Sequence, residues 1–338
     1  MQSAVIFSIS TNFFETHLAF KQATERARRG KGPSVIISNV VRLLPHSSSD
    51  DQRKYRTQED LEKDLHRDPI LLFKNNCVKE EIFTETDIEI ISQQVNKQID
   101  EDAIWAEEQD HPQLETALNH IYSGENYGKE NDFTIIAERI VIIDAINHAL
   151  HEEMALNDKM VIYGEDIADP KGGVFTATKG LSTTFGKERV FNSPLAESSI
   201  VGTAIGMAVT GYKPVIEIQF ADYIWTAMMH IRNEVSVMRY RSNNDWDCPL
   251  VIRVPVGGYI HGALCHSQSI DGYFMHMPGI YIAYPSNAKD AKGLLKMACR
   301  MNDPVIFMEH KSLYRQSYAA TEEPDKNYLI PFGKASCV

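Results

Sequence analysis

The second part of the chain alternates short apolar runs with longer stretches that have helical spacing. Each apolar run is long enough for one buried strand, and each helical stretch can cross from one strand to the next. The pattern therefore predicts an α/β fold with a mostly parallel sheet flanked by helices. The predicted strands are Met160–Tyr163, Val190–Phe191, Val215–Gln219, Leu250–Val254, Tyr281–Tyr284 and Val305–Met308, and the predicted helices include Glu197–Thr210, Ala221–Arg241 and Asn287–Arg300.

The first part of the chain has mainly helical periodicity. Helices are predicted for Phe13–Arg29 and Thr84–Glu108, where apolar residues recur along one stripe. The segment Ser34–Leu44 is rich in β-branched residues and is a strand candidate. Thr134 precedes another apolar stretch in the position of a helix cap, which predicts one helix running from there to Leu156.

A polar stretch without periodicity separates these two parts and indicates a linker. We predict a mainly helical region over 1–123, a linker over 124–132 and the α/β domain over 133–320. Residues 321–338, which contain two prolines, are predicted to be a second linker.

Composition and charge exclude several partners. The chain has 338 residues and a net charge of −12, whereas nucleic acids and anionic membranes require a positive surface. No apolar run approaches the roughly 18–20 residues that span a bilayer, and no basic stretch precedes an apolar run at the N-terminus. The five cysteines form no CxxC pair, which favours a reducing compartment, here the cytoplasm, and argues against a zinc site.

The segment Asn192–Glu197 places a carboxylate where a predicted strand ends and an Ala- and Gly-rich helix begins. A glutamate at a helix N-terminus is commonly stabilised by the helix dipole and has no further role. The neighbours of Glu197 are apolar, however, and a carboxylate in such surroundings can exchange a proton with a ligand nitrogen. This segment alone favours the structural role.

Aromatic residues follow the next predicted strand. Gln219, Phe220 and Tyr223 lie at a strand-to-helix junction, where parallel sheets bind ligands. The two rings could line the pocket of an aromatic ligand, or they could belong to the core, as most aromatic residues do.

Two histidines lie on a glycine-containing loop that follows the strand 250–254. His261 and His266 are better placed for acid–base chemistry than buried histidines would be. Their spacing and the absence of an evident third ligand argue against a metal site. Cys265 has no partner pattern that would support a nucleophilic role.

Six segments together resemble the β subunit of the thiamine-diphosphate-dependent 2-oxo acid dehydrogenases, the decarboxylating first component of those multienzyme complexes. They follow the order and the approximate spacings of that family, and some look more like the branched-chain enzyme than the mitochondrial pyruvate enzyme. The resemblance implies a thiamine-diphosphate-binding fold of the transketolase pyrimidine-domain type. The segments are Tyr163–Ala168, Gly172–Phe175, Asn192–Glu197, Glu217–Tyr223, His261–Ser269 and Phe307–Arg315.

The range from Gly32 to Tyr122 is similar to the C-terminal part of the α subunit of the same enzymes. Arg42–Asp51 corresponds to that subunit's active-site loop, although Leu-Pro replaces the usual Gly-His before His46. In animal relatives the serine at the position of Ser47 is the regulatory phosphorylation site, whereas the residues alone also fit a solvated loop. The resemblance implies that the magnesium- and diphosphate-binding segment of the α subunit and the C-terminal domain of the β subunit are missing here.

The resemblance also implies roles for individual residues. Glu197 is expected to bond N1′ of the cofactor's aminopyrimidine and to favour its imino tautomer. His266 and His46 are expected to position substrate or lipoyl and to move protons during acyl transfer. A purely structural role for Glu197 is then disfavoured, because it would not explain why the other five segments also match the family. The residues that the resemblance places around the aminopyrimidine are Leu195, Gln219, Phe220 and Tyr223.

The implied activity is decarboxylation of a branched-chain 2-oxo acid or pyruvate, with transfer of the acyl group to lipoyl. The implied partners are an α-type subunit and a dihydrolipoyl acyltransferase with its lipoyl domain. Two alternatives stay open: a truncated assembly subunit without catalytic competence, and a relative of transketolase or deoxyxylulose-phosphate synthase. The loop around His266 and the α-type segment argue against the second alternative.

The predicted helix Ala221–Arg241 carries more apolar residues than a monomer usually leaves in water. We therefore expect a homo-oligomer, formed through the pyrimidine-binding domains. The apolar residues on which this expectation depends are Ile224, Trp225, Met228, Met229, Ile231 and Val235.

Overall fold

The computed structural model describes residues 4–8, 11–125, 127 and 131–333. The chain divides into two units, Met1–His111 and Pro112–Val338, so the division lies before the predicted boundary at residue 123. The predicted linker 124–132 falls partly outside the described residues, as does the end of the predicted tail.

The first unit is mainly helical, as predicted, but it also contains a small parallel sheet. Strand β1 (Ala4–Ser8) pairs in parallel with β2 (Ser34–Ser38), and helix α1 (Phe13–Arg28) connects them. Asn12 caps α1 by accepting hydrogen bonds from two backbone amides of the first turn. The strand predicted to reach Leu44 ends earlier, at Ser38. The remaining helices are α2 (Gln58–Leu65), α3 (Pro69–Lys79) and α4 (Glu85–Glu107).

A six-stranded sheet forms the centre of the second unit, and all its strand pairs are parallel, which confirms the predicted α/β fold. Its strands are β4 (Met160–Gly164), β5 (Val190–Asn192), β6 (Lys213–Glu217), β7 (Val251–Val256), β8 (Tyr281–Ala283) and β9 (Val305–His310). In space the order is β5-β4-β6-β7-β9-β8. Strands β4, β6 and β7 are buried along their whole length, as expected when helices cover both faces.

Successive residues of each strand enter two separate hydrophobic clusters, one on each face of the sheet. Val215 belongs to the cluster that includes the helices Ile142–Leu156 and Ala288–Arg300, and Ile216 belongs to the cluster that includes the helix Glu197–Val209. Among the described residues, no helix is both long and apolar enough to cross a membrane. The helices of this unit are α5 (Ile142–Leu156), α6 (Leu181–Phe185), α7 (Glu197–Val209), α8 (Met228–His230), α9 (Met238–Arg241), α10 (Asp271–Phe274) and α11 (Ala288–Arg300).

The helix predicted to begin at Thr134 is wrong in its first part. Residues Ile135–Ile140 form strand β3, which pairs antiparallel with β10 (Thr321–Pro324) in the predicted tail, and the helix α5 begins only after it. Thr134 caps nothing, because its hydroxyl donates to the Asp325 carboxylate at 2.8 Å. The partner strand lies far away in sequence, so local spacing did not reveal the pairing.

The helix predicted for Ala221–Arg241 is not continuous. It begins as a 3-10 helix over Ala221–Ala227, passes through α8 and a π-helix over Ile231–Val235, and ends in α9. The buried residues recur every three residues in the 3-10 part and every four residues beyond it, so the changes of pitch keep one stripe of the segment buried.

This segment also buries three of the six apolar residues that were expected to form an interface between copies. Trp225 and Met229 remain exposed. The apolar surface on which the homo-oligomer prediction was based is therefore smaller than expected, and the prediction loses this support. The buried members are Ile224, Ile231 and Val235.

Asp169 stabilises the loop that leads from β4 to α6. Its carboxylate accepts hydrogen bonds from the amides of Gly180 and Thr183 at 2.7 and 2.9 Å, and from the hydroxyls of Ser182 and Thr183 at 2.8 and 2.7 Å. Partial burial acts to raise the pKa of Asp169, but these donors outweigh it and hold the pKa at about 2.

Replacing Asp169 with asparagine should destabilise the fold by about 1–2 kcal/mol at neutral pH, because the amide accepts fewer hydrogen bonds. The ordinary pKa of 3.8 is higher than that of the folded state, so the stabilisation is present above about pH 4 and is lost as the pH falls towards 2. Urea unfolding of both proteins across this range measures the difference. An equal difference at pH 7 and pH 2 would contradict this account.

Candidate active site

The carboxyl ends of the parallel strands lie together at one edge of the sheet, where such folds bind ligands. Glu165 directly follows β4, Glu197 begins α7 after β5, and Gln219 follows β6. The loop that carries His266 follows β7. The fold thus brings the predicted site residues Glu197, Gln219 and His266 to one edge of the sheet.

Glu197 is a buried carboxylate with one oxygen engaged. Its side chain is only 9% exposed, and the Thr226 hydroxyl donates to Oε2 at 3.1 Å. None of the described residues donates to Oε1. No side chain caps α7, whose cap position is Ala196, so Glu197 makes no capping hydrogen bond. The carboxylate is thus held at one oxygen and has the other free.

Glu165 is a second buried acid at this edge, and it lies in the segment Tyr163–Ala168 that carries part of the resemblance. Its Oε1 is buried and has no hydrogen-bond partner among the described residues. Burial, together with the nearby negative charge of Glu197, raises the pKa of Glu165. Gln219 braces this turn, because its amide donates to the Glu165 carbonyl and to the Asp166 carboxylate, both at 3.2 Å.

His266 is hydrogen-bonded through both ring nitrogens. Its Nδ1 lies 3.1 Å from the Gly262 carbonyl oxygen, and its Nε2 lies 2.7 Å from the Tyr223 hydroxyl. A carbonyl can only accept, so Nδ1 carries a proton, and in the neutral ring Nε2 accepts from Tyr223. The Phe220 ring packs edge-on against the imidazole, with the centroids 4.7 Å apart. These contacts fix both the tautomer and the orientation of His266.

Behind Phe220 lies a lysine that the sequence analysis missed. Lys311 follows β9 and is only 2% exposed, and its Nζ lies 5.4 Å from the Phe220 ring centre. Among the described residues, neither Lys311 Nζ nor Asp222 Oδ1 has a hydrogen-bond partner. Burial lowers the pKa of Lys311 to about 8, against the opposing effect of Asp222.

Unsatisfied buried polar atoms are therefore concentrated at this edge. Buried polar groups are nearly always hydrogen-bonded, so a group of unpaired ones indicates a place where water or a ligand completes them. The unpaired atoms here are Glu165 Oε1, Ser193 Oγ, Asp222 Oδ1 and Lys311 Nζ.

An ion network lies inside the sheet below this edge. Arg253 is fully buried and donates to both oxygens of Glu309, at 2.7 and 3.0 Å, and to Glu217 at 2.9 Å. The Tyr314 hydroxyl donates to Glu309 at 2.7 Å. Burial raises the pKa of Glu217, and the two carboxylates raise that of Arg253 against the opposing effect of burial. The network joins the central strands β6, β7 and β9.

Leu195 and His46 are the remaining predicted site residues. Leu195 is 82% exposed. His46 belongs to the first unit, where its Nδ1 lies 2.8 Å from the Asp50 carboxylate. The Tyr55 hydroxyl donates to the same carboxylate at 2.6 Å, so the loop folds around Asp50.

Two family models match the chain. The family model described as "Transketolase, pyrimidine binding domain" matches residues 138–317, which is more than half of the chain. A second family model, "Dehydrogenase E1 component", matches residues 8–115. Among solved structures, the chain titled "Split gene transketolase, inactive beta4 tetramer" aligns with 50% of this chain and 50% of its own, at a TM-score of 0.40 and 25% identity.

Curated relatives match more than half of the chain. The 2-oxoisovalerate dehydrogenase subunit beta of Bacillus subtilis is 52% identical over 193 residues, which is 57% of this chain and 58% of that protein. The pyruvate dehydrogenase E1 component subunit beta of the same organism is 43% identical, over 58% of this chain and 60% of that protein. The mitochondrial 2-oxoisovalerate dehydrogenase subunit beta 2 of Arabidopsis thaliana is 46% identical, over 57% of this chain and 53% of that protein.

The chain thus spans little more than half the length of these relatives. The matches confirm the predicted resemblance for both parts: a dehydrogenase E1 segment comes first, and a segment similar to the β subunits follows. The chain belongs to the family of transketolase pyrimidine binding domains.

Proposed function

We propose that this chain is the pyrimidine-binding component of a thiamine-diphosphate-dependent 2-oxo acid dehydrogenase. In this proposal the assembled enzyme decarboxylates a 2-oxo acid and transfers the acyl group to lipoyl. The observation that carries the proposal is the state of Glu197, a buried carboxylate with one oxygen bonded to Thr226 and the other free.

The residues at this edge fit an aminopyrimidine. Such a ring offers nitrogen acceptors, an amino donor and two aromatic faces, and the edge supplies acids, a free hydroxyl and aromatic side chains. Glu165 Oε1 and Ser193 Oγ are buried and unpaired among the described residues, as expected of atoms that a ligand completes. When bound, thiamine diphosphate supplies the nucleophilic carbon and the electron sink that decarboxylation requires.

Glu197 would hold the proton of the ring nitrogen N1′. Its Oε1 is free to accept, and Thr226 keeps the carboxylate in one orientation. Phe220 and Tyr223 would line the ring, and Leu195 at the rim would lose its exposure when the ligand binds. Gln219 would act indirectly, since its amide already braces the turn after β4.

His266 would transfer a proton during acyl transfer. Its Nδ1 proton is held by the Gly262 carbonyl, so Nε2 is the nitrogen available for exchange. Tyr223 occupies Nε2 and would have to release it, or relay the proton through its own hydroxyl. We propose that His46 also moves protons during acyl transfer and that the magnesium site belongs to an α-type partner.

The proposed substrate is a branched-chain 2-oxo acid. The supporting fact is that the B. subtilis relative named for 2-oxoisovalerate is 52% identical, against 43% for the relative named for pyruvate. The proposed partners are an α-type subunit and a dihydrolipoyl acyltransferase with its lipoyl domain. Four cysteines of the described residues are free thiols, which fits a reducing compartment such as the cytoplasm.

Reconstitution tests this function. The chain is mixed with the α subunit of a branched-chain 2-oxo acid dehydrogenase, thiamine diphosphate and magnesium, and the release of carbon dioxide is measured with an artificial electron acceptor. We expect release from 2-oxoisovalerate and less from pyruvate. If no 2-oxo acid gives release above that of the α subunit alone, the chain is an assembly subunit without catalytic competence.

Replacing His266 with glutamine should separate the two half-reactions. We expect acyl transfer to a lipoyl domain to fall about 10²–10⁴-fold, because a positioned acid–base group is lost. Decarboxylation measured with the artificial acceptor should fall much less. His261→Gln is the matched control, since His261 is an exposed histidine of the same loop. Equal losses in both reactions, or equal losses in both variants, would contradict the assigned role.

A further inference from the structure

One short helix touches both proposed active groups. The 3-10 helix Ala221–Ala227 is joined to the start of α7 by two hydrogen bonds. The Thr226 hydroxyl donates to Glu197 Oε2 at 3.1 Å, and the Ser198 hydroxyl donates to the Thr226 carbonyl at 2.6 Å. Thr226 therefore contacts the start of α7 through both its hydroxyl and its backbone carbonyl, and these two hydrogen bonds fix the 3-10 helix next to Glu197.

The same helix holds the loop of His266. Tyr223 donates to the imidazole at 2.7 Å, and the Trp225 indole donates to the Gln268 side chain at 2.9 Å. The Gln268 amide in turn donates to Asp222 at 3.4 Å. The helix therefore anchors this loop through three of its side chains.

The loop depends on these anchors because its own backbone is strained. Tyr259, His261 and Ala263 have φ angles of 119°, 57° and 53°, in a region that residues with side chains rarely adopt. Such a conformation persists only where surrounding contacts impose it. A small displacement of the 3-10 helix is therefore expected to change the position of His266.

The Thr226 hydroxyl has one proton and two acceptors within reach. Besides Glu197 Oε2 at 3.1 Å, the carbonyl oxygen of Tyr223 lies 3.2 Å away. A charged carboxylate is the stronger acceptor of the two. When Glu197 is neutralised, the preference shifts towards the Tyr223 carbonyl, one turn earlier on the same face of the 3-10 helix.

We propose that Thr226 is a positioning residue that couples the charge of Glu197 to the position of the His266 imidazole. With Glu197 charged, the hydroxyl bonds the carboxylate. With Glu197 neutral, the hydroxyl bonds the Tyr223 backbone, and Tyr223 carries the change to the imidazole. The significance of this link rests on the proposed function, because it would join the group that handles the ring proton to the group that serves acyl transfer. The link itself is a property of the ligand-free chain.

Nuclear magnetic resonance of the full chain tests this link without cofactor or substrate. The reporter is the imidazole Cε1–H signal of His266, assigned by its disappearance in His266→Gln. Glu197→Gln removes the charge while keeping the shape and an acceptor. We compare its effect on the reporter in three backgrounds: wild type, Thr226→Ser, which keeps the hydroxyl, and Thr226→Val, which removes it.

We expect Glu197→Gln to shift the His266 signal in the wild type and in Thr226→Ser. In Thr226→Val the shift should shrink to the part that acts through space. The His148 signal is the internal control, because that histidine pairs with Glu323 on β10 and should not respond. Thr226→Ala is the second variant without the hydroxyl, should the valine variant fold poorly.

An equal shift in all three backgrounds would overturn the proposal, as would a serine variant that behaves like the valine variant. Failure of this test leaves the reconstitution result untouched. A chain without decarboxylase activity would in turn leave the coupling measurable. The two proposals can therefore fail separately.

Discussion

Replacing Glu197 with glutamine will slow proton exchange at the reactive carbon of bound thiamine diphosphate by orders of magnitude. A carboxylate can take up the proton of the ring nitrogen and stabilise the imino tautomer, whereas an amide cannot. Cofactor affinity should change much less, because one hydrogen bond contributes only about 0.5–1.5 kcal/mol. Hydrogen–deuterium exchange of the cofactor in the reconstituted enzyme measures the effect.

The matched control for this prediction is Glu165→Gln. Both acids are buried at the same edge, but only Glu197 accepts a hydrogen bond from Thr226, and the proposal assigns the N1′ proton to Glu197 alone. We expect its exchange rate to stay close to that of the wild type. If both variants lose exchange equally, the two acids act as one unit; if neither loses it, Glu197 has only a structural role.

Replacing Arg253 with methionine will destabilise the second unit by about 3–5 kcal/mol, because it leaves two buried carboxylates without a counter-charge. Arg253 donates to Glu217 and Glu309 from a fully buried position, so water cannot screen the change. Guanidinium unfolding at neutral pH measures the loss. The deficit should shrink as the pH falls, because protonation removes the uncompensated charge.

A charge-free network is the control for Arg253. The triple variant Glu217→Gln, Arg253→Met and Glu309→Gln removes both acids together with the base, so much of the lost stability should return. Activity is not needed for this measurement. A loss below about 1 kcal/mol for Arg253→Met would mean that the network contributes no more than an exposed pair.

The central sheet could be predicted from the sequence, since its strands are short apolar runs separated by helical segments. Val251 and Ile252, for example, enter clusters on opposite faces, and both lie in the apolar run from which strand β7 was predicted. The strand β3 could not be predicted in this way. Its partner β10 follows nearly two hundred residues later in the chain, and its isoleucines also suit a helix.

The sequence predicted several residues of the candidate site but not the hydrogen bonds that join them. Glu197, Tyr223 and His266 were found through the resemblance, yet their hydrogen bonds to Thr226 and to one another depend on how separate strands align. Lys311 was missed because a lysine after a strand is usually solvated. A signal for the buried network was present in the sequence. Each of the strands β6, β7 and β9 carries charge within an apolar run, and the three strands are neighbours in the sheet.

The most direct test of the central claim is a structure of this chain bound to an α-type subunit, thiamine diphosphate and magnesium. We predict that the aminopyrimidine lies at the carboxyl edge of the sheet, with its N1′ within hydrogen-bond distance of Glu197 Oε1 and Thr226 still on Oε2. Glu165 Oε1 and Ser193 Oγ should gain partners in that structure. A cofactor bound elsewhere, or one whose ring nitrogen does not reach Glu197, would contradict the account.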